Sequence, residues 1–112
     1  MSIRQNRFKK ADFNNLFKKS KTVSEKLVLL KFRRNNFKNS RFCFVVSLKI
    51  SKKATLRNKL KRQLREIIKI NSENIKPGFD VAIIARPEII GKKYQDIEKS
   101  LEALLKKTKL YK

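Results

Sequence analysis

A stretch of the sequence between Ala54 and Asn71 carries many phosphate-binding side chains at helical spacing. When successive residues are placed about 100° apart, its polar side chains fall on one arc of about 140°. Arginine binds phosphate oxygens with two parallel hydrogen bonds, lysine adds a point charge, and asparagine can hydrogen-bond a base edge or a sugar. The arc consists of Arg57, Asn58, Lys61, Arg62, Arg65 and Lys69.

The arc contains no acidic residue, and Glu66 lies only at its edge. A helix face that serves solubility alone normally mixes both signs of charge. Phosphate binding therefore explains the arc better than a merely solvated face does, although charge runs in general are often just exposed. Lys52 and Lys53 precede the arc, and their spacing fits either an ordinary charged loop or an approach to the helix.

Phe13 and Phe17 form a second candidate site near the N-terminus. Exposed aromatic rings stack on unpaired bases, and neighbouring cations can hold the backbone of a single strand. The same rings would serve equally well to dock a short helix on a sheet, so the residues leave both interpretations open. The flanking cations are Arg7, Lys9, Lys10, Lys18 and Lys19.

Positive charge dominates the composition of the chain: of 112 residues, 31 are Lys or Arg and 9 are Asp or Glu, a formal net charge of +22. Self-repulsion at this density makes a nucleic acid the first partner to consider and a membrane surface the second. No apolar run approaches the roughly 18 residues of a spanning helix, and the N-terminus lacks an apolar signal core. We therefore expect a cytoplasmic protein without a membrane partner, which its single cysteine, Cys43, also fits.

The residue inventory leaves little for protein-borne catalysis. The sequence has no histidine, and its nine acids do not cluster as metal ligands. Zinc sites of the His/Cys kind and histidine-based proton transfer are therefore excluded. We expect neither a catalytic residue nor a metal site in this chain.

Strands on both sides of a central helix, with further helices at the ends, predict an α/β sandwich in a single domain over residues 1–112. Residues 1–10 are basic and are expected to form an arm that orders against a partner. The predicted elements are a short helix from about Asp12 to Ser20, strands over Lys26–Phe32 and Phe42–Leu48, a helix over Ala54–Asn71, a strand over Phe79–Arg86 and a helix from Lys92 to about Leu105. Polar turn residues over Arg33–Asn39 are expected to end the first strand, and Pro87 the last.

The run from Arg57 to Glu66, preceded by Val46-Ser47-Leu48-Lys49 and Ala54, resembles the signature helix of the bacterial ribonuclease P protein subunit. The resemblance extends over nearly the whole chain. Asn6–Lys10 with Asp12, Phe13 and Phe17 resembles the N-terminal segment of that family, Asp80–Arg86 its late strand, and Tyr94–Leu105 its last helix.

The resemblance implies an α+β fold in the order αβββαβα, with a mixed four-stranded sheet and a left-handed βαβ crossover, which is an exception to the usual hand. It also implies a role in 5′ maturation of precursor tRNA, in which a large RNA subunit with bound Mg²⁺ performs the hydrolysis. The implied partners are that RNA and precursor tRNA, with no obligate protein partner. The residues implied to bind the RNA subunit are Arg57, Asn58, Lys61, Arg62, Arg65 and Lys53, and those implied to bind the 5′ leader are Phe13, Phe17, Arg7, Lys9, Lys10 and Lys49.

The sequence departs from the family pattern in two places, one at the end of the second predicted strand and one within the first. Leu48 stands where the family usually has the first lysine of a pair, which leaves Lys49 alone. Leu30 and Phe32 stand where an aromatic residue that stacks on the leader is often found.

The alternative function is that of a structural ribosomal or ribosome-assembly protein, since the basic α/β sandwich of such a protein would look similar. A DNA-architectural protein is a weaker alternative, because no dimerisation element or groove-reading arm is evident.

Overall fold

The computed structural model describes residue 18 and residues 20–35, 37–108, 110 and 111. The predicted arm and nearly all of the predicted first helix lie outside these residues, although Lys18 is itself helical. The elements are β1 (Lys21–Ser24), β2 (Val28–Arg34), β3 (Arg41–Val45), α1 (Ala54–Ile70), β4 (Phe79–Ala85) and α2 (Tyr94–Lys107), with single 3-10 turns at Ser72–Asn74 and Pro87–Ile89.

The four strands form one mixed sheet in the order β1-β2-β4-β3. β1 pairs with β2 and β2 with β4 in antiparallel fashion, whereas β3 and β4 run parallel and are joined through α1. Parallel neighbours need such a crossover because a tight turn cannot return the chain to the same end of the sheet. The predicted mixed four-stranded sheet is confirmed, and the left hand of the crossover stays a prediction.

Both helices pack on one face of the sheet, which we call the helix face. In register, Leu30 lies beside Ile83, and Ile83 beside Phe44, so alternate residues of the three strands share this face. Apolar side chains at helical spacing in both helices join the sheet residues in one core. The buried members are Val28, Leu30, Phe32, Phe42, Val81, Ile83 and Ala85 from the sheet, and Leu60, Leu64, Ile67, Ile97, Leu101, Leu104 and Leu105 from the helices.

The opposite side, which we call the second face, carries the intervening residues. Leu29, Lys31, Cys43, Val45 and Ile84 lie there and are half-buried. None of these five belongs to the core formed with α1 and α2. The second face is therefore a distinct surface of the sheet.

Two expectations from the sequence are wrong in detail. The polar residues after Phe32 do not end the first long strand, because Arg33 and Arg34 continue the ladder opposite Asp80 and Phe79. β3 ends at Val45, and Leu48 lies in a turn with 67% of its surface exposed. Leu30 and Phe32, which stand where the family often has an aromatic residue that stacks on the leader, both lie in the core, because the two-residue period of the strand turns them to the helix face.

A buried ion pair fastens one end of the parallel strands. Arg41 and Asp80 are register partners in β3 and β4. The guanidinium donates from Nε to Asp80 Oδ1 at 2.8 Å and from Nη2 to Oδ2 at 2.6 Å, and Asn35 Nδ2 also donates to Oδ1 at 2.8 Å. Two parallel bonds fix both groups in one geometry, so Asp80 serves as a structural partner of Arg41.

Neither α1 nor α2 is long and apolar enough to cross a bilayer, and the same holds for every helix in the part of the chain described.

Candidate nucleic-acid interface

Helix α1 separates an apolar stripe from a cationic arc. Leu60, Leu64, Ile67 and Ile68 are buried against the sheet and α2. The predicted arc lies away from them, with Asn58, Arg62, Arg65 and Lys69 exposed and Arg57 and Lys61 half-buried. The packing of the stripe therefore fixes the direction in which the arc faces.

The cations of the arc have no acidic partners among the residues that the structure describes. The salt bridges among the described residues join Arg41 to Asp80, Arg86 to Glu88 and Lys107 to Glu25, and none involves α1. Arg57 is held in place through its neighbouring loop, because its Nη1 donates to the Ser51 carbonyl oxygen at 3.0 Å. A phosphate approaching this surface would not have to displace a carboxylate.

The start of α1 adds to the positive potential of the arc. Lys53 is the exposed N-cap residue, the first turn contains no acid, and no side chain caps the free backbone N–H groups. The amino end of a helix carries a partial positive charge of about half a unit, which favours anions. Lys53 therefore lies at the end of the same cationic surface, and its role in binding RNA stays a prediction from the resemblance.

The arc runs beside the free edge of the sheet. β3 is an edge strand, and the guanidinium carbon of Arg65 lies 5.6 Å from the centre of the Phe44 ring. Lys61 lies near Cys43, a residue of the second face. Burial raises the pKa of the Cys43 thiol, and the positive charge of the Lys61 ammonium partly offsets that rise. The cationic arc and the second face are consequently neighbouring surfaces.

The second face combines apolar and cationic side chains. Leu29, Val45 and Ile84 supply apolar surface, and the Lys31 ammonium donates to the Thr22 hydroxyl at 3.1 Å across β1 and β2. Lys49 is exposed in the turn between β3 and α1. Lys31 was not singled out from the sequence, although the alternation of side chains along β2 could have placed it on this face.

The structure brings all six residues predicted to bind the RNA subunit onto one end and one arc of α1. Lys49 lies in the preceding turn, close to them in sequence but outside the helix. The other residues predicted to contact the leader fall outside the described part of the chain; they are Phe13, Phe17, Arg7, Lys9 and Lys10. Within the described part, no three acidic or cysteine side chains are grouped to hold a metal ion.

Known proteins resemble this chain in both sequence and structure. A family model described as Ribonuclease P matches residues 3–109. The ribonuclease P protein component of Alkaliphilus oremlandii is 35% identical over 102 residues, which are 91% of this chain and 89% of that protein.

Two solved structures share the fold along nearly their whole length. The RNase P protein of Staphylococcus aureus matches with a TM-score of 0.87 at 32% identity, covering 95% of this chain and 97% of its own. The RNase P protein of Thermotoga maritima matches with a TM-score of 0.85 at 34% identity, covering 92% and 97% respectively. Sequence and fold thus agree over the same span, and the chain belongs to the ribonuclease P protein family.

Proposed function

We propose that the chain assists tRNA 5′ maturation by binding two RNAs on neighbouring surfaces: the catalytic RNA on the arc of α1, and the 5′ leader of precursor tRNA across the second face of the sheet. As a member of its family, the chain is the protein subunit of ribonuclease P, a ribonucleoprotein endoribonuclease. Family membership favours this function over the ribosomal alternative.

The observation that carries the proposal is the unpaired cationic arc. Arg62 and Arg65 are exposed and Arg57 is half-buried, and none of the three has a carboxylate partner among the described residues. The buried stripe of the same helix fixes the direction in which they face. A rigid helix loses little conformational entropy when it binds a ribose-phosphate backbone, and released counterions favour the association further. A large folded RNA, which presents many phosphates, is the ligand that suits such a surface.

The second face suits a single strand better than a duplex. Its apolar side chains can lie against unpaired bases, and Lys31 and Lys49 can approach the backbone. By the family resemblance, Phe13 and Phe17 with the basic residues Arg7, Lys9 and Lys10 complete this surface. Because the leader leaves with one product, binding it favours precursor over mature tRNA, a difference that contacts to the tRNA body cannot supply.

The chemical step belongs to the RNA in this proposal. The described residues include no group of acidic or cysteine side chains that could hold a metal ion. Mg²⁺ held by the RNA would activate the attacking water. The protein would screen repulsion between the two RNAs and thereby lower the Mg²⁺ concentration that the reaction requires, in the cytoplasm where precursor tRNA is made.

Replacing Arg62 tests the arc directly. Arg62→Ala removes one exposed guanidinium from the middle of α1. We expect the variant to bind ribonuclease P RNA more weakly. The slope of log K against log[salt] should become shallower by about one unit, because one phosphate contact is lost. Equilibrium binding at several salt concentrations measures both quantities.

Lys99→Ala is the matched control, because Lys99 is equally exposed in the middle of α2 and also carries one charge. It should leave the slope nearly unchanged. If both variants change affinity and slope alike, the arc is not the contact and binding is diffuse.

A further inference from the structure

A second basic site lies on the helix face, at the end of the sheet where β2 finishes and β4 begins. It is a pocket of about 470 Å³, a volume within the range of small-ligand sites. Its lining residues are Lys21, Phe32, Arg33, Arg34, Lys76, Phe79 and Thr108, and they include no acid. An adjoining cavity of about 520 Å³ shares Lys21, Phe32 and Thr108 with it.

Cations from three separate segments of the chain line this pocket. Lys21 in β1 and Arg34 in β2 fall on the helix face by register, opposite Phe32 and Phe79 respectively. Lys76 comes from the link between α1 and β4, where its backbone N–H donates to the Leu110 carbonyl at 2.7 Å and its carbonyl accepts from the Ser40 hydroxyl at 3.0 Å. Tertiary structure thus assembles charges that stand far apart in the sequence.

No acidic side chain in the described part of the chain pairs with these cations. All three side chains are exposed. The carboxyl end of α2 lies beside the pocket at Thr108, but its partial charge of about half a unit is small against three full positive charges. The pocket therefore favours an anion.

The floor of the pocket is aromatic. The rings of Phe32 and Phe79 meet edge to face, with 6.4 Å between their centres, and the guanidinium of Arg34 lies 5.5 Å from the centre of the Phe79 ring. Phe32 is buried, whereas Phe79 is only half-buried and can still meet a ligand. Cations around an aromatic floor match a nucleotide, which carries a phosphate and a flat base.

The pocket is separate from the arc of α1. Lys21 lies in β1 at one edge of the sheet, and the arc lies along β3 at the other edge. Two strands lie between those edges, and Phe79 of the pocket belongs to the strand next to β3. No residue of the arc lines the pocket, so the two are distinct sets of side chains.

We infer that this pocket is a third RNA contact, which takes one unpaired nucleotide with its phosphate on Lys21, Arg34 and Lys76 and its base on Phe79. This inference rests on the proposed function only for the identity of the RNA. The nucleotide belongs either to the ribonuclease P RNA or to precursor tRNA, and the two sources are separated by measuring each RNA alone.

The test compares two triple variants of the full chain. The pocket variant is Lys21→Gln/Arg34→Gln/Lys76→Gln, and the control is Lys26→Gln/Lys92→Gln/Lys99→Gln. All six side chains are exposed, and each variant loses the same charge. We expect the pocket variant to bind one of the two RNAs about tenfold more weakly than the control does. Phe79→Leu should weaken the same RNA about fivefold by removing the stacking surface.

The outcomes separate this inference from the proposed function. If the parent chain binds neither RNA, the proposed function itself fails. If the parent binds and the two triple variants behave alike with both RNAs, the pocket is not a contact. If the pocket variant loses affinity but Phe79→Leu does not, the assignment of a base to the pocket is wrong. Thermal unfolding followed by circular dichroism establishes that every variant is folded.

Discussion

Leu48 is an exposed residue at which one substitution can test the proposed RNA contact. It lies in the turn between β3 and α1 with 67% of its surface exposed, next to Lys49. An exposed leucine at this point gains nothing from the core and offers no charge to a phosphate. The position is therefore a place where affinity for RNA can be raised without disturbing the fold.

Leu48→Lys adds one cation beside Lys49. It should tighten binding of ribonuclease P RNA or of leader-bearing precursor tRNA. The slope of log K against log[salt] should steepen by up to about one unit. Leu48→Gln is the control, since it removes the same apolar side chain without adding charge. Salt titrations of both variants measure the effect. Equal slopes for the two variants would show that the turn does not reach RNA.

Asp80 is a single residue with a structural role. Its carboxylate accepts two bonds from the buried guanidinium of Arg41 and one from Asn35. Breaking a buried pair by removing one charge is far more costly than replacing both partners by apolar residues.

Asp80→Asn should therefore lower the free energy of unfolding by about 3 kcal/mol, measured by urea denaturation. Arg41→Met/Asp80→Leu should recover much of that loss, because no buried charge is left behind. A double variant as unstable as Asp80→Asn alone would contradict this account of the pair.

At the scale of elements, apolar periodicity predicts the helices well and the strand ends poorly. The stripe and arc of α1 follow from spacing alone, because one helix face must meet the core. The extension of β2 through Arg33 and Arg34 does not, because those residues are polar and their strand conformation depends on pairing with Asp80 and Phe79. The pocket at Lys21, Arg34 and Lys76 cannot be predicted from the sequence either, because strand pairing brings these separate segments together.

Cys43 provides a probe of the second face. It is a free, half-buried thiol, and burial raises its pKa above the ordinary value, so the reactive thiolate is a smaller fraction at neutral pH. Alkylation should accordingly be slow, and it should accelerate as the pH rises toward that pKa. Leader-bearing precursor tRNA should slow it further, whereas mature tRNA should not.

A matched probe on the other side is Lys99→Cys in a Cys43→Ser chain, since residue 99 is exposed on α2. Its alkylation should be indifferent to the leader. Equal protection of Cys43 by precursor and mature tRNA would contradict the placement of the leader on the second face.

The whole molecule is a small core that carries a large positive charge. A net charge of +22 indicates a polyanionic partner, but composition alone cannot say how that charge is distributed. The fold gathers it on the arc of α1, around the second face and at the pocket beside α2. Binding and electrostatics are what such a molecule can contribute to a reaction.

The central claim is that this protein enables an RNA to cleave precursor tRNA. The most direct measurement is single-turnover cleavage of leader-bearing precursor at low Mg²⁺ by ribonuclease P RNA alone, by the protein alone, and by the two together. The account predicts slow cleavage by the RNA, none by the protein, and rapid cleavage at the mature 5′ end by the reconstituted particle. If cleavage is no faster with the protein than without it, the protein does not assist the RNA and the proposed function is wrong.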